Sequence, residues 1–140
     1  MGTSVLLSIR PRFAEAILSG AKQFELRRRF PVLPRGVVVY LYASSPVSAV
    51  VGSFVIADVI RGAKEELWDS FGPCFGLLRS EYDDYFEGCA VATAIRAEEI
   101  TRIDTPIALA RLRSSLNIEP AQNYRYVSET LLMPLRSRAG

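Results

Sequence analysis

The chain contains no histidine. That absence removes the Ser-His-Asp and Cys-His catalytic arrangements, together with every histidine-ligated zinc or iron site. Cysteine is almost as scarce. Cys74 and Cys89 stand fifteen positions apart, without the Cys-X-X-Cys spacing of a zinc or redox motif. They are expected to be reduced residues, partly buried in the core. Long apolar runs are missing too: the most apolar stretch, Val37 to Ile60, is broken by Ser, Pro, Gly and Asp. A membrane span needs roughly 18 to 20 apolar residues in succession, so no membrane association is expected. The opening Met1-Gly-Thr-Ser-Val-Leu-Leu-Ser8 lacks a basic leader followed by a long apolar segment, which predicts a cytoplasmic protein. Any catalysis must run on lysine, carboxylate, tyrosine or hydroxyl groups, with neither metal nor cofactor expected.

Lysine is the scarce cation. The chain has Lys22 and Lys64 against 15 arginines, at a formal net charge of +2. An arginine-favouring genome explains this composition. So does selection for a planar fork of donors that suits phosphate and stacks on bases, and composition does not separate the two. The weak net charge argues against tight, non-specific duplex binding, which needs many phosphate contacts. At 140 residues the chain is expected to form a single domain over residues 1–140, its core running from about residue 5 to residue 127. Residues 136–140 read as a loose tail.

Apolar periodicity places the elements. Val5 to Ile9 reads as a buried strand. Pro11 opens a short amphipathic helix that ends at Gly20. Phe24 and Leu26 then alternate with Glu25 and Arg27, giving a strand with a polar face that also takes in Arg29, with Lys22 at its mouth. Val37 to Ala43 and Val50 to Ile60 are strands, the second with a bulge expected at Gly52. Glu65 to Phe71 and Ser80 to Phe86 read as short helices whose aromatic residues Trp68, Phe71, Tyr82, Tyr85 and Phe86 are assigned to packing. Cys89 to Ile100 alternates as a strand, Pro106 to Leu116 reads as a helix, and Tyr124 to Val127 as a last strand. Elements this short and numerous predict an α+β fold: a small barrel of five or six mostly antiparallel strands with short helices on its rim.

Certain residues carry a family resemblance. Leu7-Ser-Ile-Arg-Pro11, the helix ending Ile17-Leu-Ser-Gly20, and Lys22-Gln-Phe-Glu-Leu-Arg-Arg28 resemble the opening of an ASCH domain, in the PUA-like superfamily of small barrels. Tyr42-Ala-Ser-Ser-Pro46 with Val51-Gly52, Tyr85-Phe-Glu-Gly88, and Pro120-Ala-Gln-Asn-Tyr-Arg-Tyr126 agree with it, so the likeness runs from about Val5 to Val127. The resemblance implies a barrel with a cleft for RNA or a modified nucleoside, and a role in RNA handling or transcriptional regulation. Some ASCH proteins deacetylate acetylated cytidine with a lysine, a hydroxyl residue and a glutamate. Lys22 matches that lysine, but Glu25 stands where those proteins carry a threonine. Glu65, Glu66 and Glu81 are all open as the third member.

The candidate site follows. Lys22 and Glu25 are the candidate catalytic pair. Three positions apart on a strand they would face opposite ways, so they meet only if Lys22 belongs to the turn after Gly20. Ser8, Lys22, Glu25, Arg27, Arg28, Ser44, Ser45, Gln122, Arg125 and Tyr126 are the candidate ligand-binding residues. Glu25 would accept from a base amino group while Lys22 and Arg27 or Arg28 hold phosphate. Tyr42, Trp68 or Tyr126 would supply a stacking face. The expected partner is single-stranded RNA or a modified nucleoside. Binding alone, a metal-free hydrolase acting on acetylated cytidine or cleaving RNA as a ribonuclease, and a protein-interaction domain all stay open. Against them stands the simplest explanation, a charge run pairing across an exposed sheet face.

Overall fold

The computed structural model describes residues 2–128, which form six strands and four α-helices. The expected tail at 136–140 lies outside the described residues. Strands β1 (Thr3–Ile9), β2 (Phe24–Arg27), β3 (Val38–Ala43), β4 (Ala49–Ala63), β5 (Val91–Ala108) and β6 (Tyr124–Ser128) make one sheet in the order β2-β5-β4-β3-β1-β6. Every pairing is antiparallel except β1 with β3. The sheet is not closed into a barrel, which corrects the expected fold. Short strands alone do not set closure. Here β2, only four residues long, pairs with β5 alone, and β6 pairs with β1 alone, so both remain edges.

Helix α1 (Pro11–Ser19) connects β1 to β2 as expected, with proline in its first turn and Gly20 capping it in the left-handed conformation. Helices α2 (Lys64–Phe71) and α3 (Arg79–Tyr85) flank a 3-10 turn at Gly72–Cys74, between β4 and β5. Helix α4 (Leu109–Ser115) precedes β6. The helix expected from Pro106 therefore begins three residues late. Ile107 and Ala108 belong to β5, paired with Val50 and Ala49. Between Arg102 and Ile107 the register with β4 is irregular, and a proline, having no N–H to give to a ladder, fits such a stretch. Gly52 lies at one of three register shifts that bend β4 against β5, in keeping with the expected bulge.

Three apolar groups hold the elements together. Val5, Leu7, Val39, Leu41, Phe54 and Ile56 meet Ala14 and Ile17 of α1 on one face of the sheet. Leu6, Val38, Tyr40, Val55 and Ile107 meet Leu112 of α4 on the other. Burial on both faces explains why β3 is apolar throughout rather than alternating. A third, aromatic group joins Phe24 and Leu26 of β2 to Leu67, Phe75, Tyr82 and Phe86. Cys74 and Cys89 are free and pack, half-buried, against this group.

A side chain spans the gap between the two edge regions of the sheet. From β2, the Arg27 guanidinium donates Nη2–H to the Ser8 carbonyl of β1 at 2.8 Å and Nη1–H to Asn123 Oδ1, just before β6, at 2.7 Å. Its Nε–H goes to Glu25 Oε2 at 2.8 Å. Arg27→Met should lower unfolding stability by about 3 kcal/mol, because it leaves Glu25 buried without its cation. Arg27→Lys should recover less than half of the loss, since an ammonium cannot span three acceptors. Urea denaturation measures both, and a loss below about 1 kcal/mol would reduce this brace to an ordinary surface pair.

Candidate functional site

The C-terminal ends of the parallel strands β1 and β3, strand β2, and helices α1 and α3 enclose a cleft of about 730 Å³. Its floor begins with a helix stop. Gly20 ends α1, the chain turns, and the Lys22 N–H returns to the Ala16 carbonyl at 3.0 Å. Because Lys22 lies in this turn, ahead of β2, strand alternation does not govern it. Lys22 and Glu25 consequently line one cleft, though they are three positions apart.

Lys22 is 2% exposed. Its Nζ donates to the Phe75 carbonyl at 2.8 Å and lies 5.1 Å from the centre of the Phe13 ring. The loop that supplies this carbonyl comes close to Lys22 because Gly76 has no side chain. A Cβ there would fall 2.8 Å from Lys22 Cβ, and Gly76 has φ +70°. Burial depresses the Lys22 pKa below its ordinary value; Glu25 opposes this, Arg12 and Arg27 reinforce it, and Glu81 opposes it weakly. A buried amine whose charge is disfavoured is a better proton-transfer group near neutrality than an exposed lysine.

Glu25 is 4% exposed, on β2. Arg27 occupies Oε2, and Oε1 has no other hydrogen bond among the described residues. Three of the Arg27 donors are committed to protein acceptors, so this residue orients Glu25 and joins the cleft walls. Ser8 also lines the cleft, its Oγ–H given to the Ala121 carbonyl at 2.6 Å.

Around the mouth stand Arg10, Arg12 and Arg28. Arg12 of α1 pairs with Glu81 of α3 across the cleft. The Leu78 N–H, and after it Arg12, hold the Glu81 carboxyl below its usual range. Arg28 donates Nε–H to the Tyr85 carbonyl at 2.8 Å and pairs with no carboxylate among the described residues. With Asp84, the lining carries five cationic side chains against three carboxylates, an excess that favours an anionic ligand.

The cleft brings together Ser8, Lys22, Glu25, Arg27, Arg28, Ser44 and Gln122. Ser45, Arg125 and Tyr126 do not line it. Arg125 instead donates to the Glu119 carbonyl at 2.9 Å, and Tyr126 stands exposed on β6. Arg29, expected on the polar face with Glu25, is exposed outside the cleft, and Arg28 lines it instead. Of the three open carboxylates, only Glu81 lines the cleft; Glu65 pairs with Arg79 and Glu66 is exposed. Tyr42 is buried against the α4 side and Trp68 packs with Phe75 and Tyr82, so neither offers the expected stacking face in the cleft. Tyr85, assigned above to packing, lines the cleft. Arg12, Phe13 and Tyr85 were missed, and the spacing of α1 held a clue for two of them. Arg12 and Phe13 occupy its first turn, directly after the strand end that bears Ser8. No group of three or more Cys, Asp or Glu residues able to hold a metal ion occurs among the described residues. No helix among them is long and apolar enough to cross a membrane.

The chain is similar to known proteins over most of its length. The ASCH domain family model matches residues 7–101. A protein of Zymomonas mobilis subsp. mobilis described as an ASCH domain-containing ribonuclease is 34% identical over 123 residues, covering 87% of this chain and 82% of the relative. The crystal structure of the ASCH protein from Zymomonas mobilis aligns with a TM-score of 0.88 at 32% identity, over 98% of this chain and 96% of that one. A tyrosine-to-phenylalanine variant of that protein gives the same TM-score at 31% identity, over 98% and 99%. The N-terminal domain of Staphylothermus marinus McrB, with a TM-score of 0.60 and 13% identity over 98% of this chain and 96% of that one, shares the fold alone.

The depressed pKa of Lys22 has a measurable sign. The unfolded chain keeps this proton up to the ordinary lysine value of 10.5, whereas the folded protein releases it at lower pH. Between the two values the unfolded state binds more protons, so the penalty of burying the charge is full below the window and fades as pH rises through it. Urea denaturation of wild type and Lys22→Met, run from neutrality toward pH 10.5, should show wild type gaining stability relative to the variant. A gap that stays flat would mean Lys22 titrates normally.

Proposed function

The chain belongs to the ASCH family, and from that premise we propose that its cleft binds single-stranded RNA and cleaves the phosphodiester backbone. The observation that carries this reading is the presence of a buried lysine and a buried glutamate in one cleft with a cationic lining. The Zymomonas mobilis relative described as an ASCH domain-containing ribonuclease supports the choice of reaction.

Glu25 Oε1 accepts the proton of a ribose 2′-hydroxyl, and the freed oxygen attacks the adjacent phosphorus. Lys22, protonated, offsets the charge that builds on the phosphoryl oxygens and gives its proton to the departing 5′-oxygen. The P–O5′ bond breaks, leaving a 2′,3′-cyclic phosphate and a 5′-hydroxyl. Solvent then takes the proton from Glu25 and returns one to Lys22, which restores both groups. The depressed pKa makes Lys22 a stronger acid than a solvated lysine. Arg27 holds the carboxylate in place while Arg10, which has no carboxylate partner among the described residues, attracts the strand.

A second substrate class, an acylated nucleoside, is favoured by the cleft volume of about 730 Å³, which suits a small molecule. Amide hydrolysis by the lysine-hydroxyl-glutamate route needs a hydroxyl beside Lys22. Glu25 takes that position, and Ser8 donates its hydroxyl hydrogen bond to the Ala121 carbonyl.

Incubating wild type, Lys22→Met and Glu25→Gln with short single-stranded RNA in chelator, with N4-acetylcytidine in parallel, tests both classes. The expected outcome is RNA fragments ending in 2′,3′-cyclic phosphate, with kcat/KM reduced roughly 10²- to 10⁴-fold in each variant. Cleavage that survives Lys22→Met would remove Lys22 from the reaction. RNA bound but intact in wild type would make the cleft a reader, and loss of the acetyl group alone would select the nucleoside.

A further inference from the structure

We propose that Arg28 and Tyr85 form a stacking platform at the cleft mouth that accepts an unpaired nucleobase; the proposal rests on the RNA reading of the same cleft. Arg28 follows β2 directly, and Tyr85 is the last residue of α3. The Arg28 guanidinium carbon lies 5.2 Å from the centre of the Tyr85 ring, within cation–π range. Its Nε–H is tied to the carbonyl of that same residue at 2.8 Å, so two contacts with one residue hold the guanidinium in place. The tyrosine ring is anchored in turn. Phe86, fully buried, meets it edge-on at 4.8 Å and 77°.

A bidentate phosphate contact uses the in-plane edge of the guanidinium fork, part of which Arg28 has already given to the Tyr85 carbonyl. A base needs the plane. Arg12 and Arg27 are occupied by Glu81 and Glu25, whereas Arg28 is held by a backbone carbonyl and an aromatic face with no carboxylate partner among the described residues. Arg28 is exposed, so its side chain is accessible to a π-system while its charge stays unneutralised. Bases in a duplex have both faces covered by neighbours, so a platform of this kind selects single strands. It would place one base of the strand at the edge of the cleft, with the adjoining phosphate directed toward Lys22.

Fluorescence anisotropy with a fluorescein-labelled RNA hexamer, and with the same hexamer made abasic, tests the platform on wild type, Arg28→Lys, Tyr85→Leu and Tyr85→Phe. The expected result is a roughly ten- to hundred-fold weaker Kd for Arg28→Lys on the base-bearing strand, no change on the abasic strand, and near-wild-type binding by Tyr85→Phe. Tyr85→Leu should weaken binding as Arg28→Lys does. If it fails to fold, Arg28→Lys decides alone. Equal loss on both strands, or none for Arg28→Lys, would overturn the platform and leave Arg28 as a phosphate contact or a bystander. Wild type binding neither strand would overturn the RNA reading, and the platform with it.

Discussion

An open sheet whose edge regions line one cleft needs something other than a backbone ladder to hold them in register. In this protein Arg27 supplies it. A guanidinium presents its donors in a rigid plane, and here three of its nitrogens reach a carboxylate, a backbone carbonyl and a side-chain amide on three separate segments. The pair it makes with Glu25 is largely withdrawn from solvent, with side-chain exposures of 13% and 5%. In that setting the pair is costly to break and insensitive to salt compared with a surface pair. The consequence for chemistry is that Glu25 has one oxygen fixed and the other directed by that fixation. The carboxylate is positioned by the same group that joins the walls of the cleft.

Lys22 depends on a longer chain of causes. Gly20 stops α1, the resulting turn takes Lys22 off the strand, and Gly76 lets the Phe75 carbonyl come down on its ammonium. Each step is local, yet together they bury a cation that water would otherwise solvate. Desolvation is the largest influence on its proton affinity, ahead of any neighbouring charge. A folded protein tolerates a group so placed only where the surrounding packing over-determines it. The aromatic group of Phe24, Phe75, Tyr82 and Phe86, which anchors the loop carrying Phe75, provides that packing.

The sequence made some of this legible because the relevant signals are local. A proline in the first turn and a glycine stop marked α1, and the glycine also marked the turn that lets Lys22 meet Glu25. Alternation marked β2. What the sequence hid is tertiary in origin. Nothing local says whether a six-stranded sheet closes, since closure turns on whether β2 and β6 find each other. The start of α4 was misplaced because Pro106 is equally suited to a helix opening and to an irregular stretch of strand, and the pairing of Ile107 with Val50 decided for the strand. Tyr42 and Tyr85 exchanged expected roles for a similar reason. Aromatic residues have no local mark for which face of the sheet, or which side of a helix, will meet an open cleft.

The distribution of charge then bears on the class of ligand. Over the whole chain positive and negative groups nearly cancel, at +2, and many arginines are spent on exposed pairs such as Arg102 with Glu15 and Arg113 with Glu119. Within the cleft, two of the three carboxylates are likewise taken by arginines, which leaves Lys22, Arg10 and Arg28 facing Asp84 alone. An excess so small and so confined offers few phosphate contacts, and affinity built on counterion release grows with their number. On the proposed function, binding then draws on contacts other than charge, from groups arranged around a small volume. A short, flexible strand or a single nucleoside can present its base, sugar and phosphate to such groups at once. The proposed single-stranded ligand fits this charge pattern better than a duplex, whose bases are stacked and whose charge is spread along a rod.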